Sequence, residues 1–352
     1  MGRLARYAGR SALADRKRTH ERGIMSTYRP LADDGIVRRL LGAVAAAPSI
    51  HNTQPWRLRV AGHDLIELRG DPDQMLWVAD PRGRALHLSC GAALFNLRLA
   101  IRAAGAKPLV WPLPDPAGEP TLLASVQLAR GRPADWAELD LFESIWQRHT
   151  SRAPFTGRRV PPAVHGALQE AASAEFTVLR LLPDTDAALV TRLAAAAGEE
   201  LAENFDHRVE LCRWIGTDGN DGVPADALGS QPDRGPAPVR DFGYASPSTP
   251  RPSGSYEPRP HLTVLATARD EPADWLRAGQ ALQRVLLTAT VNGVAASFLY
   301  QPMELHDMRQ PEDGWWPWPE CPQIIIRFGY GPPGPHTPRR PVEDILDRPT
   351  AT

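Results

Sequence analysis

Ala47-Pro48-Ser49-Ile50-His51-Asn52-Thr53-Gln54-Pro55-Trp56 is a run of loop-formers and side-chain amides placed directly after a strongly apolar helix. Pro48 stops that helix, because a proline ring clashes with the carbonyl four residues back, and Pro55 pushes Gln54 towards an extended conformation. Between the two prolines, Ser49, His51, Asn52, Thr53 and Gln54 project hydrogen-bonding groups from a bounded loop. Amides and hydroxyls without a glycine cradle or a positive charge suit a neutral, planar, polar ligand such as a heterocycle edge or sugar hydroxyls. The bland alternative is ordinary turn chemistry.

Pro48, Ser49, Asn52, Gln54, Pro55 and Trp56 resemble the Pro-Ser-x-x-Asn-x-Gln-Pro-Trp loop of the nitroreductase superfamily, whose members bind FMN. That resemblance implies an α+β fold with a central, mainly antiparallel sheet flanked by helices. It also implies a flavin cofactor and a loop whose Pro48, Ser49, Ile50 and Asn52 approach it.

Bulk properties set the outer limits. The chain has 352 residues, 42 % of them hydrophobic, which exceeds the usual single-domain size and supports a large core. Forty Lys+Arg against 41 Asp+Glu leave a formal charge of −1, so no global attraction to nucleic acid or an anionic membrane is expected. Small, neutral partners are favoured. Cys90, Cys212 and Cys321 lie far apart without metal-ligand spacing, and no apolar run reaches the length needed to span a bilayer. A cytoplasmic protein is expected. Residues 1 to 24 are Arg-rich with no clear buried face, and Met25 opens a better start. They read as a disordered extension from a misassigned start codon, with a basic arm or targeting peptide as the alternative.

Along the chain, Asp33 or Asp34 caps a helix whose apolar face carries Ile36, Val37, Leu40, Leu41 and Val44. Strands follow around 57–60 and 65–69, then a helix capped by Ser89 that runs to Gly105, and a strand over 122–128. Trp136, Leu139, Phe142, Ile145 and Trp146 form the buried stripe of the next helix, which delivers Arg148-His149-Thr150-Ser151-Arg152 at its end. Further on come a helix from Pro161, a strand over 175–182, and one helix from Asp184 towards Phe205. The strand 261–267, a helix over 274–292 and the strand 323–330 complete the order. Between Gly216 and Pro260 no regular element is credible, and so long a structureless stretch reads as a lid anchored by Phe242, Tyr244 and Tyr256.

One internal comparison organises the rest. Gly91 to Gly105 reads GAALFNLRLAIRAAG and Gly279 to Gly293 reads GQALQRVLLTATVNG, equal in length with five identities in register. Two related halves are therefore expected, residues 25–132 and 133–348, the second carrying the insert 216–260. They form a fused pseudo-dimer of nitroreductase-like units.

Arg148-His149-Thr150-Ser151-Arg152 with Phe155 resembles the superfamily's Arg-x-Ser-x-Arg-x-Phe segment, with Pro154 as one extra residue. Guanidinium groups suit phosphate oxygens on their own merits, since charge-assisted bonds are among the stronger hydrogen bonds, and Thr150 and Ser151 hydroxyls can complete the shell. A solvated charge run at a helix end is the competing reading. Arg339 and Arg340 stand where the superfamily places a second basic pair on the FMN phosphate. Ser297, Phe298 and Leu299 stand where its chain passes the flavin ring, Phe298 and Leu299 in ring contact with Ser297 behind them, although core strand is the plain alternative. The resemblance puts Arg148, Arg339 and Arg340 on the phosphate, Arg152 beside the flavin N1 and O2, and Asn52 and Ser49 on the ribityl or pyrimidine edge.

The first half carries the Pro-Ser loop and the second the arginine segment, so complementary losses leave one FMN site per chain, between the halves. The resemblance extends, through Asp80-Pro81-x-Gly83-Arg84 and Arg339-Arg340-Pro341-Val342-Glu343-Asp344, to the dormancy-associated actinobacterial subfamily called Acg. It implies an NAD(P)H-dependent flavin oxidoreductase acting on nitroaromatics or quinones. The competing class is a lidded FMN-binding or FMN-sequestering protein with little or no NAD(P)H turnover. No Gly-x-Gly-x-x-Gly follows a strand, no Walker loop or Gly-x-Ser-x-Gly elbow appears, and His51, His149 and His306 have no carboxylate or cysteine at metal-ligand spacing. A monomer without metal is expected.

Overall fold

Asp33 accepts from the backbone N–H groups of Gly35 and Ile36 and so satisfies two of the free donors that open α1 (Asp34–Ala45). The computed structural model describes residues 30–305 and 316–347, so the expectation for residues 1–24 falls outside the described residues. After α1 come β1 (Trp56–Val60), β2 (Leu65–Gly70), α2 (Arg84–Ala103), β3 (Ala106–Pro112) and β4 (Leu122–Arg130). These four strands form one antiparallel sheet in the order β1-β2-β4-β3.

A linking helix α3 (Trp136–Ser144) leads to α4 (Pro162–Ser173), β5 (Val178–Leu181), α5 (Asp184–Glu203) and α6 (Phe205–Cys212). The insert contributes the two-residue strands β6 (Gln231–Pro232) and β7 (Ser253–Gly254), paired in parallel. Then follow β8 (His261–Thr267), α7 (Pro272–Val291), β9 (Ala295–Leu299), the short α8 (Gln301–Glu304), β10 (Cys321–Gly329) and α9 (Val342–Ile345). The second sheet is again antiparallel, in the order β5-β8-β10-β9. Each sheet thus has its first strand on one edge and its third on the other, and a long helix enters that third strand.

The long helices α2 and α7 meet between the sheets. Their close approach depends on the two glycines that open the repeated segments: a Cβ on Gly91 or on Gly279 would lie 2.8 Å from the other glycine's Cα, closer than side chains tolerate. Asn96 bridges the layers, donating to Ala43 O in α1 and accepting from Gln283 in α7. Gly91→Ala should therefore push the helices apart and destabilise the fold by about 3 kcal/mol or more, beyond ordinary overpacking. Thermal or urea unfolding checks this, and a variant within about 0.5 kcal/mol of the parent would contradict the close crossing.

Local structure departs from expectation at two helices. α2 begins at Arg84 rather than Ser89, because the Asp80 carboxylate accepts the Leu86 N–H and Gly83 supplies a left-handed turn at φ +69°. Ser89 lies inside the helix, bonded to Ala85 O. In α3 only Phe142 and Ile145 of the expected stripe are buried. Trp136, in the first turn behind the Asp135 cap, is 83 % exposed, and Trp146 packs edge-on against Phe142 beyond the helix end. The helix expected from Asp184 towards Phe205 runs over Asp184–Glu203, and Asn204, whose side chain accepts from His207 N, starts the separate α6.

The three cysteines are free. Among the described residues no helix is long and apolar enough to cross a membrane, and no cluster of metal-ligating side chains occurs.

Candidate functional site

The connection from α1 to β1 forms one wall of a cavity bounded also by the start of α2, by β9 and β10 of the second sheet, by the insert and by the strap after β10, with about 970 Å³ of open space including its mouth. His51, Asn52 and Gln54 take positive φ values of +46°, +58° and +51°, a conformation that non-glycine residues adopt only when their surroundings impose it. Those surroundings are side-chain hydrogen bonds. Ser89 Oγ accepts Ile50 N–H at 3.2 Å, and Ser49 Oγ accepts Gln54 N–H at 2.9 Å.

The amides that mark this loop serve a different purpose from the one expected of them. Asn52 donates to Gly222 O at 2.9 Å and to Pro338 O at 3.0 Å, and its Oδ1 accepts from Arg339 at 2.9 Å. Gln54 donates to Asn220 O and accepts the backbone N–H of Arg340. Both side chains therefore fasten the loop to the insert and to the C-terminal strap. The same strap explains Arg340, whose guanidinium pairs with Asp71 at 3.2 Å and donates to Gln54 O and Asp344 O. It holds the loop and does not line the cavity, in contrast to the phosphate role expected for it.

Of the expected residues, Pro48, Ser49, Ile50, Asn52, Arg148, Thr150, Arg152, Phe298 and Arg339 line one cavity, although they come from opposite ends of the chain. His149, Ser297 and Leu299 do not. Alternation along β9 accounts for the last two: Phe298 faces the cavity, while Leu299 sits in the core beneath and Ser297 lies against Arg327. His149 stands behind the wall, its ring 4.1 Å from that of His336.

Among the described residues, three lining arginines lack a counter-charge. Among the described residues no carboxylate pairs with Arg148, Arg152 or Arg339. Arg148 is only 6 % exposed and its Nε has no partner, and the Nε of Arg339 is equally orphaned. Burial, with the neighbouring Arg339 charge, pulls Arg148 down to about 9. Burial, with Arg240, pulls Arg152 to about 10, and burial alone takes Arg339 to about 10. All three stay cationic at neutral pH. Buried, unpaired charges are costly, so the arrangement is that of a receptor for an anion.

The insert closes the other end. Phe242, 2 % exposed, lies with its ring 5.5 Å from the Arg152 guanidinium and 5.7 Å edge-on from His51. Behind it, Arg240 makes two bonds to the fully buried Glu304, which also accepts from His207 at 3.3 Å and faces His51 at 4.0 Å. Burial alone would raise the Glu304 carboxyl; the Arg240 charge overrides it and holds the group at about 2. Burial, then Arg240, keeps His51 well below its ordinary value and therefore neutral.

A second anchor lies at the far end of the insert. Glu257 binds the buried Arg327 through both oxygens, and Tyr256 donates to Arg152 O at 2.8 Å. Gly229, at φ +81°, leaves room for the Arg152 backbone, which any Cβ there would strike.

Sequence reasoning missed His51 as a lining residue, along with Ser89, Arg240, Tyr300 and Thr337. Phe242 was legible only as an anchor. Arg240 carries no local signal, because its partner lies 64 residues away and its segment has no periodicity.

No family model matches the chain. Whole-length relatives do. The Mycobacterium tuberculosis protein named "Putative NAD(P)H nitroreductase acg" is 31 % identical over 325 residues, covering 88 % of this chain and 95 % of its own. A second protein of that organism, with the same descriptive name, is 33 % identical over 339 residues, covering 92 % and 94 %. Among solved structures, a nitroreductase with bound FMN from Desulfitobacterium hafniense overlaps 59 % of this chain and 97 % of its own at TM-score 0.39 and 14 % identity. A nitroreductase-like protein from Anabaena variabilis overlaps 76 % and 69 % at TM-score 0.38 and 10 % identity. On the strength of the two whole-length relatives, the chain belongs to the nitroreductase family that includes Acg.

Proposed function

We propose that the chain binds one FMN in this cavity and uses it as an oxidoreductase, passing electrons from NAD(P)H to nitroaromatic or quinone acceptors by hydride transfer. The observation that carries the reading is a set of three lining arginines with no carboxylate partner among the described residues, Arg148 buried and Arg152 and Arg339 half-buried, with orphaned Nε donors on Arg148 and Arg339. Arg148 and Arg339, with Thr150 and Thr337, would hold the phosphate. Arg152 stands further along the wall, beside Phe242, where a cation stabilises negative charge on a reduced ring. Ser49 and Ile50 supply one face and Phe298 another. When bound, FMN supplies the redox chemistry, and the protein contributes orientation, charge and the exclusion of water.

Two related halves also belong to this reading. Equal strand order in both sheets and the paired glycines at the helix crossing support an internal pseudo-dimer. The connection after α1 spans residues 46–55 and forms the cavity wall, whereas its counterpart after α4 spans only 174–177. There the buried Glu175 binds Arg98 at 2.7 Å and Arg284 at 3.0 Å, so an ion-paired turn stands in place of a polar loop. One FMN per polypeptide follows. A homogeneous preparation that holds two would refute the arrangement.

A second reading has its own observation. Val223, Arg240 and Phe242 of the insert form part of the cavity wall, and Phe242 is buried there. A nicotinamide needs that side open to stack on a flavin, so the alternative is an FMN holder with little turnover. Anaerobic mixing of the FMN-loaded protein with NADH or NADPH separates the two. Rapid loss of flavin absorbance supports the reductase; a flavin that resists both donors yet reduces photochemically supports the holder.

A further inference from the structure

His149 and His336 form a pair that the proposed function leaves unused. His149 is flanked in sequence by Arg148 and Thr150, and His336 adjoins Thr337 and lies close in sequence to Arg339; those four neighbours line the arginine end of the cavity. The two imidazoles come from two adjoining segments, the one after α3 and the strap after β10, and meet with centroids 4.1 Å apart at 64°. Among the described residues neither ring pairs with a carboxylate. Two histidines alone make an incomplete metal site, and no third ligand joins them among the described residues.

We propose that His149 and His336 form a proton-accepting outer wall of the anion subsite, so that occupation by a phosphate monoester takes up a proton from solution. The inference rests on the FMN reading of the cavity and specifies how its phosphate is held.

The charged and titratable neighbours of His149 are His336, Arg148 and Arg339, all of them basic. With the cavity free of anion they act in one direction. Burial first, then these three groups, brings His149 down to about 4, so the ring is neutral at physiological pH. A doubly charged phosphate between Arg148 and Arg339 reverses the local field. It cancels the two guanidinium charges and attracts a third, and imidazole is the side chain whose proton affinity lies within reach of neutral pH. Thermodynamic linkage then requires tighter binding as pH falls. The window runs from about pH 8 down to about pH 6.5, above the range where the monoester itself gains a proton, near its second pKa of about 6.

The test uses full-length protein stripped of flavin, with FMN and riboflavin as probes, followed by quenching of flavin fluorescence. Calorimetry in two buffers of different ionisation enthalpy counts the protons. For the parent, the FMN dissociation constant should fall by about 3- to 10-fold between about pH 8 and about pH 6.5, with uptake approaching one proton. Riboflavin, which lacks the phosphate, should show no such slope. His336→Gln should flatten the FMN slope and abolish the uptake. His336→Lys, permanently charged, should restore tight binding without pH dependence, which a merely structural role would not produce. Equal slopes in the parent and His336→Gln, or binding without proton uptake, overturn this inference and leave the FMN reading intact. Failure of FMN to bind at any pH removes both.

Discussion

Arg148→Met is expected to weaken FMN retention by about 100-fold or more while raising the thermal stability of the flavin-free protein. The two effects have one cause. Among the described residues Arg148 is a buried cation without a carboxylate partner, and its Nε has no acceptor. Folding therefore bears a desolvation cost that only a bound anion relieves. A methionine of similar length fills the space without that cost, and replacing buried charge by apolar side chains often stabilises by roughly 1–4 kcal/mol. The bound state moves the other way. Charge-assisted bonds contribute roughly 1.5–3 kcal/mol each. Losing two of them gives at least the stated factor, at about 1.4 kcal/mol per tenfold. Flavin content after purification and thermal melting of the stripped protein measure both. A variant that melts lower and keeps its flavin would mean that Arg148 is structural, and the anion site would fall with it.

The second large effect is expected at Glu304. This carboxylate lies at 0 % exposure under Arg240, His207 and His51, so one residue joins the insert, α6 and the Pro48–Trp56 loop. Glu304→Gln keeps the shape and leaves Arg240 charged and buried. Removing one partner of such a pair costs roughly 3–5 kcal/mol. Because Arg240 and Phe242 share the insert, the loss should appear there first, as protease cleavage within residues 216–260 and faster release of FMN on dilution. Adding Arg240→Met should recover part of the stability, since it removes the unpaired charge. An insert as protease-resistant as in the parent would show that its other anchors, Glu257, Tyr256 and the bonds from Asn52 and Gln54, hold it without Glu304.

How far the sequence could be read depends on how local the signal was. β8 has the bounds that its apolar run predicts, and β1, β2, β4 and β10 fall within about two residues of theirs, because alternation and flanking turn residues act over a few positions. The start of α2 was misplaced, since its first turn is satisfied by Asp80 from outside the helix rather than by a cap at Ser89. Trp136 looked buried by spacing alone, yet it sits at the solvent end of α3, where the stripe has not met its partner. Within the site, Arg148, Arg152 and Arg339 were legible as residue types in a motif. Arg340, one position along, could not be told apart from Arg339 until Asp71 was seen to claim it. Asn52 and Gln54 were recognised as important, but their partners Gly222, Asn220 and Pro338 lie well over a hundred residues away, so their role as fasteners was invisible.

Under the pseudo-dimer arrangement proposed above, the unequal connections after α1 and α4 bear on what a fused chain can do. A pair of identical subunits cannot lengthen one loop and shorten its mate, because every change is made twice. In a single polypeptide the two copies of a position are separate letters. The cavity-forming connection at residues 46–55 can keep its strained backbone while the one at 174–177 shrinks to a turn sealed by Glu175. On that same proposal the second half carries the 216–260 insert once, along one side of the cavity, with no second copy competing for the same space.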